Sequence, residues 1–129
     1  LKPAIYANLL AKKLEKHHTR VWLLNTGWSG GGFGIGKRIA LPLTRAMISA
    51  VLQGSLNEAP THEHPIFRVS IPDEVAGVPQ NVLNPEQSWA DQQAYAREAL
   101  GLAEKFAENF KKYKASVPES VAASGPVQP

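Results

Sequence analysis

The segment Gly31-Gly32-Phe33-Gly34-Ile35-Gly36-Lys37-Arg38 matches G-x-x-x-x-G-K. A loop of that kind cradles phosphate with backbone N–H groups, and the residue after the lysine must be Ser or Thr to hold Mg²⁺. Arg38 stands there instead. Helix signals return only at Pro42, so no helix N-terminus follows the lysine directly to cup a phosphate. The segment is therefore not read as a phosphate-binding loop. The dinucleotide pattern G-x-G-x-x-G is absent as well.

Lys37-Arg38-Ile39 and Thr44 suggest a different chemistry. A guanidinium can lie flat on an aromatic base, and an isoleucine can pack against an adenine face. Thr44, one turn into the next helix, can offer a hydroxyl to a purine nitrogen. From the residues alone the simpler reading is a surface arginine paired with a carboxylate and an isoleucine in the core.

His62 and His64 in Thr61-His62-Glu63-His64-Pro65 would face one side of an extended chain and could hold a metal. No third ligand has motif spacing, so a solvated loop is preferred. His17 and His18 most simply end the first helix. Asp73, Glu74 and Glu86 read as loop solvation. The spacing supports no Ser-His-Asp triad and no carboxylate pair.

Several elements must position these residues. Pro3 suits a first helical turn. Ile5, Tyr6, Leu9, Leu10 and Leu14 follow at helical spacing, which predicts a helix over Pro3–Lys16. Arg20–Asn25 (RVWLLN) is a short apolar run that predicts a buried strand. Gly27–Gly36 holds six glycines in ten residues, a loop that lets backbone approach a ligand closely.

Pro42–Gln53 predicts a second helix, with Leu43, Met47, Ala50 and Val51 on one face and Gly54 at its end. Ile66–Ile71 alternates apolar and polar residues and predicts a half-buried strand. Asp73–Gln87 predicts a long loop. Ser88-Trp89-Ala90-Asp91 reads as a capping-box variant opening a long amphipathic helix over Ala90–Lys112, with Glu108 and Lys112 as an ion pair one turn apart. The Pro-, Ser-, Ala- and Gly-rich segment 115–129 predicts a disordered tail.

Composition narrows the classes. With 129 residues, the chain holds one domain at most. Apolar residues at 43% and charged residues at 19% fit a globular protein. A net charge of +3, without a dense basic stripe, argues against a nucleic-acid binder. No run of about 18 apolar residues occurs, which argues against a membrane span. The absence of cysteine excludes disulfides, thiolate zinc sites and cysteine nucleophiles, and is compatible with the cytosol.

Leu1-Lys2-Pro3 opens without Met and without a signal-peptide pattern, which reads as a fragment or a processed product. The C-terminus, ending Gln128-Pro129, is not a peroxisomal address. Two short strands cannot make a sheet that covers three amphipathic helices. The missing strands are therefore expected in an absent N-terminal part.

In order along the chain stand Asn25-Thr26-Gly27-Trp28, the glycine loop, Gly36-Lys37-Arg38-Ile39 and Thr44-Arg45-Ala46. Downstream come Gln53-Gly54-Ser55-Leu56, Pro65-Ile66-Phe67, Ile71-Pro72, Val82-Leu83-Asn84-Pro85 and Asn109-Phe110-Lys111-Lys112-Tyr113. This ordered set resembles the ATP-dependent phosphoenolpyruvate carboxykinases, from Leu1 to about Tyr113. The segment Ala40-Leu41-Pro42-Leu43 is more apolar than the resemblance leads one to expect.

The resemblance implies a mixed α/β fold. Residues 1–114 would form the C-terminal part of a nucleotide-binding α/β domain, with three helices, few short strands and a long C-terminal helix. It implies a carboxy-lyase of gluconeogenesis that turns oxaloacetate and ATP into phosphoenolpyruvate, ADP and CO₂ in the cytoplasm. Mg²⁺ accompanies the nucleotide and Mn²⁺ is the second metal.

By matched position, Arg38 and Ile39 would hold the adenine and Thr44 would contact the nucleotide. The phosphate loop, metal ligands and substrate residues would lie upstream of Leu1, so this chain alone is expected to be inactive. The competing expectation is a non-enzymatic module that binds a ligand or protein through the Gly-rich loop 27–36.

Overall fold

A computed structural model of the chain describes residues 3–127. The readings made at Leu1, Lys2, Gln128 and Pro129 lie outside the described residues. The architecture is mixed α and β, with helices joined by two small antiparallel sheets, as suits a partial α/β domain.

The first helix, α1 (Pro3–His17), forms where its periodicity predicts, with Lys16 and His17 at the negative end of its dipole. It buries no residue. Ile5, Tyr6, Leu9 and Leu10 all remain exposed. Roughly half exposed, each of the three aliphatic ones forgoes part of the roughly 1.5–3 kcal/mol that complete burial of such a side chain provides.

The strand predicted over Arg20–Asn25 does not form. Among the described residues no backbone-to-backbone hydrogen bond joins this run to another segment. The reason is the supply of partners. The strands that do exist are two or three residues long and pair within two local hairpins, and among the described residues none of them pairs with this run. Leu23 is 87% exposed as a result. Arg20 is anchored at the side-chain level, to the Asn57 carbonyl and in an exposed ion pair with Glu58 at 3.1 Å.

Two strands, β1 (Trp28–Ser29) and β2 (Lys37–Arg38), pair antiparallel with Trp28 opposite Arg38 and Ser29 opposite Lys37. The Ile39 N–H donates to the Gly27 carbonyl at 2.9 Å and extends the ladder. The second long helix, α2 (Leu41–Leu52), has Pro42 in its first turn and Gly54 just past its C-cap, as predicted. Its buried residues are Thr44, Met47 and Ala50. Met47 and Ala50 join Ile39, Leu56, Val75 and Val78 in the main core. No large side chain is fully buried among the described residues, so this core is thin.

The second hairpin pairs β3 (Thr61–Glu63) with β4 (Ser70–Pro72). The strand predicted over Ile66–Ile71 is therefore mostly turn, and only Ser70 and Ile71 of it belong to β4. The cause is His64. Its Nδ1 accepts the N–H groups of Ile66 and Phe67, at 3.1 and 3.2 Å, and its carbonyl accepts the Arg68 N–H at 2.8 Å. Arg68 sits at φ 57°, a left-handed conformation that breaks strand geometry.

The loop predicted over Asp73–Gln87 contains two single-turn helices, α3 (Gln80–Leu83) and α4 (Pro85–Ser88). Asn84 caps α4 by accepting the Glu86 N–H at 3.2 Å, and Pro85 sits in its first turn. The long helix, α5 (Gln92–Phe110), begins later than predicted because Ser88 belongs to α4. Asp91 is the N-cap and accepts the Ala94 N–H at 3.0 Å. Glu108 pairs with Lys111 rather than the predicted Lys112, whose ammonium lies 5.0 Å from the Tyr113 ring centroid.

The tail read as disordered carries a 3₁₀ turn at Lys114–Ser116 and a short helix, α6 (Glu119–Ala123). It is held to the 64–68 turn from both sides. The Arg68 guanidinium donates to the Ala123 carbonyl, and the Val127 N–H donates to the Ile66 carbonyl, each at 2.8 Å.

The exposed apolar surface has a measurable outcome. The 129-residue chain is expected to bind an apolar fluorescent dye while showing helical circular dichroism. Leu23→Asp should lower dye binding and leave the helical signal intact. A collapse of that signal would mean that Leu23 is packed.

Candidate functional site

The glycine segment folds as the loop of the β1–β2 hairpin. Its tip turns tightly, with the Ile35 and Gly36 N–H groups both donating to the Gly32 carbonyl. A Cβ on Gly36 would lie 2.5 Å from the Gly31 carbonyl oxygen, so only glycine closes this loop. Phe33 and Ile35 project into solvent. Lys37 lies within β2 and α2 begins only at Leu41, so the G-x-x-x-x-G-K string meets no helix N-terminus where a phosphate would need one.

The base of the hairpin borders a concavity of about 720 Å³. Its apolar wall includes Trp22, Leu24, Trp28, Ile39, Met47 and Trp89. The size and lining suit an apolar or aromatic group.

The three predicted nucleotide residues sit differently around it. Ile39 is buried, lines the concavity and also belongs to the core, so the plain core reading of this residue is part of the truth. Arg38 is exposed and lies outside the lining. Among the described residues it enters no ion pair, so the expected surface carboxylate partner is not found. Thr44 is buried on α2 and is not part of the wall either. The structure thus brings one of the three to the concavity.

The two histidines separate. His62 is on β3, exposed, with its Nδ1 2.7 Å from an Asp73 carboxylate oxygen. The chain bends after Glu63, and His64 is buried against α5, with its ring 5.0 Å from Phe67. The expectation of a solvated loop fails at His64, although its alternative, a metal pair, is not formed. Among the described residues no group of three or more His, Cys, Asp or Glu side chains could hold a metal ion.

The hydrogen bonds fix the state of His64. Its Nδ1 accepts two N–H groups and so carries no proton. Its Nε2, 2.8 Å from the Tyr95 hydroxyl, is the protonated nitrogen and donates. Burial lowers its pKa below the ordinary 6.5. Glu86 opposes that shift and His62 adds to it. Burial, with Glu86 adding to it, raises the Tyr95 hydroxyl above its ordinary value. The hydrogen bonds of His64 thus tie the 64–67 turn to α5.

A contact that sequence reasoning missed ties the hairpin to α4. The hydroxyls of Ser29 and Ser88 are 3.1 Å apart, across 59 positions of chain. No local pattern announces such a pair.

The family of phosphoenolpyruvate carboxykinases, ATP type, matches residues 1–81. The chain belongs to the ATP-dependent phosphoenolpyruvate carboxykinase family. Relatives carrying that enzyme name include the protein of Thermus thermophilus, 47% identical over 126 residues, which is 98% of this chain and 24% of the relative. Another, from Caldanaerobacter subterraneus, is 48% identical with the same coverage. One from Bacillus mycoides is 49% identical over 122 residues, 95% of this chain and 23% of the relative.

The chain therefore spans about a quarter of the length of the carboxykinases it matches. Arg38, Ile39 and Thr44 all fall inside the matched residues. Among the described residues no helix is long and apolar enough to cross a membrane.

His64 yields a pH prediction. Its folded pKa lies below 6.5, so the unfolded chain binds the proton more tightly. Its contribution to stability is complete above 6.5 and is lost as pH falls through the folded value. Thermal unfolding followed from about pH 8 down to about pH 5 should show falling stability that His64→Gln flattens. At neutral pH, His64→Ala should cost about 1–3 kcal/mol, because two amides lose their acceptor.

Proposed function

We propose that this chain forms the adenine side of the nucleotide site in an ATP-dependent phosphoenolpyruvate carboxykinase. That enzyme, a carboxy-lyase of gluconeogenesis, converts oxaloacetate and ATP to phosphoenolpyruvate, ADP and CO₂. The observation that carries the reading is the family match over residues 1–81, which contains Arg38, Ile39 and Thr44 in their expected order.

The chain's own residues do positional work. Ile39 presents an apolar face at the edge of the concavity. Arg38, unpaired by any carboxylate among the described residues, is available to lie over a base. Thr44, buried at the first turn of α2 and outside the concavity wall, is assigned its nucleotide contact by the resemblance alone. Phosphoryl transfer depends on where the γ-phosphate is held, and anchoring the base at one end fixes part of that geometry.

Divalent Mg²⁺ and Mn²⁺ belong to the complete reaction, but the residues described here do not fit a metal centre. His62 is taken by Asp73, and both ring nitrogens of His64 are engaged. The chain alone is accordingly proposed to be inactive. Its partners are ATP and ADP, with oxaloacetate and phosphoenolpyruvate bound by the rest of the enzyme in the cytoplasm. No nucleic acid or membrane is part of this reading.

The test is a full-length carboxykinase in which this chain replaces the corresponding segment of the Thermus thermophilus relative. Arg38→Ala should raise the KM for ATP roughly tenfold, as expected for loss of a cation–π contact of about 1–2 kcal/mol, with a smaller change in kcat. A large fall in kcat at unchanged KM would contradict the role.

A further inference from the structure

Ser88 is the last residue of α4, and its hydroxyl has one hydrogen to give. That hydrogen goes to the Pro85 carbonyl at 2.6 Å. Towards Ser29 the Ser88 oxygen can therefore only accept, so the Ser29 hydroxyl is the donor across the 3.1 Å contact. The next residue of the hairpin, Gly30, has φ 83°, and a Cβ there would lie 3.0 Å from the Ser88 carbonyl oxygen. Two consecutive hairpin residues thus seat on one residue of α4.

The seat bears on the nucleotide residues through the strand register. Ser29 stands opposite Lys37, and its neighbour Trp28 stands opposite Arg38. Fixing Ser29 fixes the rung next to Arg38. Pro85 and Trp89, on either side of the seat, line the same concavity as Trp28 and Ile39. The contact therefore spans two walls of that concavity and sets their separation.

We infer that Ser88, acting through the Ser29 hydroxyl, is a positioning residue that holds the β1–β2 hairpin, and hence Arg38 and Ile39, in the geometry that receives the nucleotide base. This rests on the adenine-side reading above. Neither serine touches the reacting atoms. Their effect passes through the hairpin.

The test uses the same full-length carboxykinase carrying this chain. Ser88→Ala should raise the KM for ATP roughly three- to tenfold, as loss of one modest hydrogen bond allows, and leave kcat and the KM for oxaloacetate within about twofold. Ser88→Thr should restore the parent value. Ser29→Ala should match Ser88→Ala, and the double variant should be no worse than either single one. An ATP KM unaffected by Ser88→Ala would overturn the inference, as would equal rises for both substrates alongside a lowered melting temperature.

Hydrogen exchange on the 129-residue chain decides the matter independently of activity. Ser88→Ala should speed exchange at the Ile35, Gly36 and Ile39 amides while leaving α5 unchanged. Unchanged exchange at those amides would overturn the inference. If Arg38→Ala leaves the KM for ATP unmoved, the adenine reading falls and the positioning claim falls with it. If Arg38→Ala raises that KM and Ser88→Ala moves neither readout, only the Ser88 inference is lost.

Discussion

A bare imidazole nitrogen is the constraint on which the arrangement turns. His64 can gather the Ile66 and Phe67 amides only while Nδ1 carries no proton, and that leaves Nε2–H to face Tyr95. One side chain thereby shapes the turn between β3 and β4 and docks it on α5. The docking is reinforced where the Phe67 and Phe106 rings meet edge to face, 6.4 Å apart. From α5 the order runs back through the Asp91 cap to α4, and from α4 through Ser88 to the hairpin that carries Arg38. The candidate nucleotide residues sit at the far end of a chain of contacts that starts at this histidine.

The second determinant is backbone left without partners. Strands belong in sheets because every buried N–H and C=O needs a partner. Here the strands pair only within their own hairpins, while Arg20–Asn25 makes no backbone-to-backbone hydrogen bond among the described residues and lies beside an apolar concavity that its own side chains help to line. The helix α1 presents a similar unused apolar stripe. Both features accompany a chain that spans about a quarter of the length of the carboxykinases it matches.

Much of this was legible in the residues. The helices α1, α2 and α5 followed from apolar spacing, Pro42 and Gly54. Their boundaries shifted by one or two residues, as caps such as Asp91 decided. The strand at Ile66–Ile71 was misread because its alternation is real while its geometry is set by His64 and Arg68, a tertiary effect with no periodic signature. The two short helices were missed although Asn84-Pro85 is a fair opening signal for one of them. Arg38 and Ile39 were singled out by the resemblance alone, because nothing in their spacing separates them from surface and core. The Ser29–Ser88 seat was invisible because hydroxyls 59 positions apart leave no trace in either neighbourhood.

Arg68 illustrates a divided allegiance. Its backbone occupies a left-handed conformation that costs most residues about 1–2 kcal/mol and costs glycine nearly nothing. Its guanidinium, however, holds the Ala123 carbonyl and with it the end of the chain. A drift to glycine would ease the turn and release the terminus. Among related chains, glycine at this position should therefore go with a terminus that is either shorter or anchored by another cation.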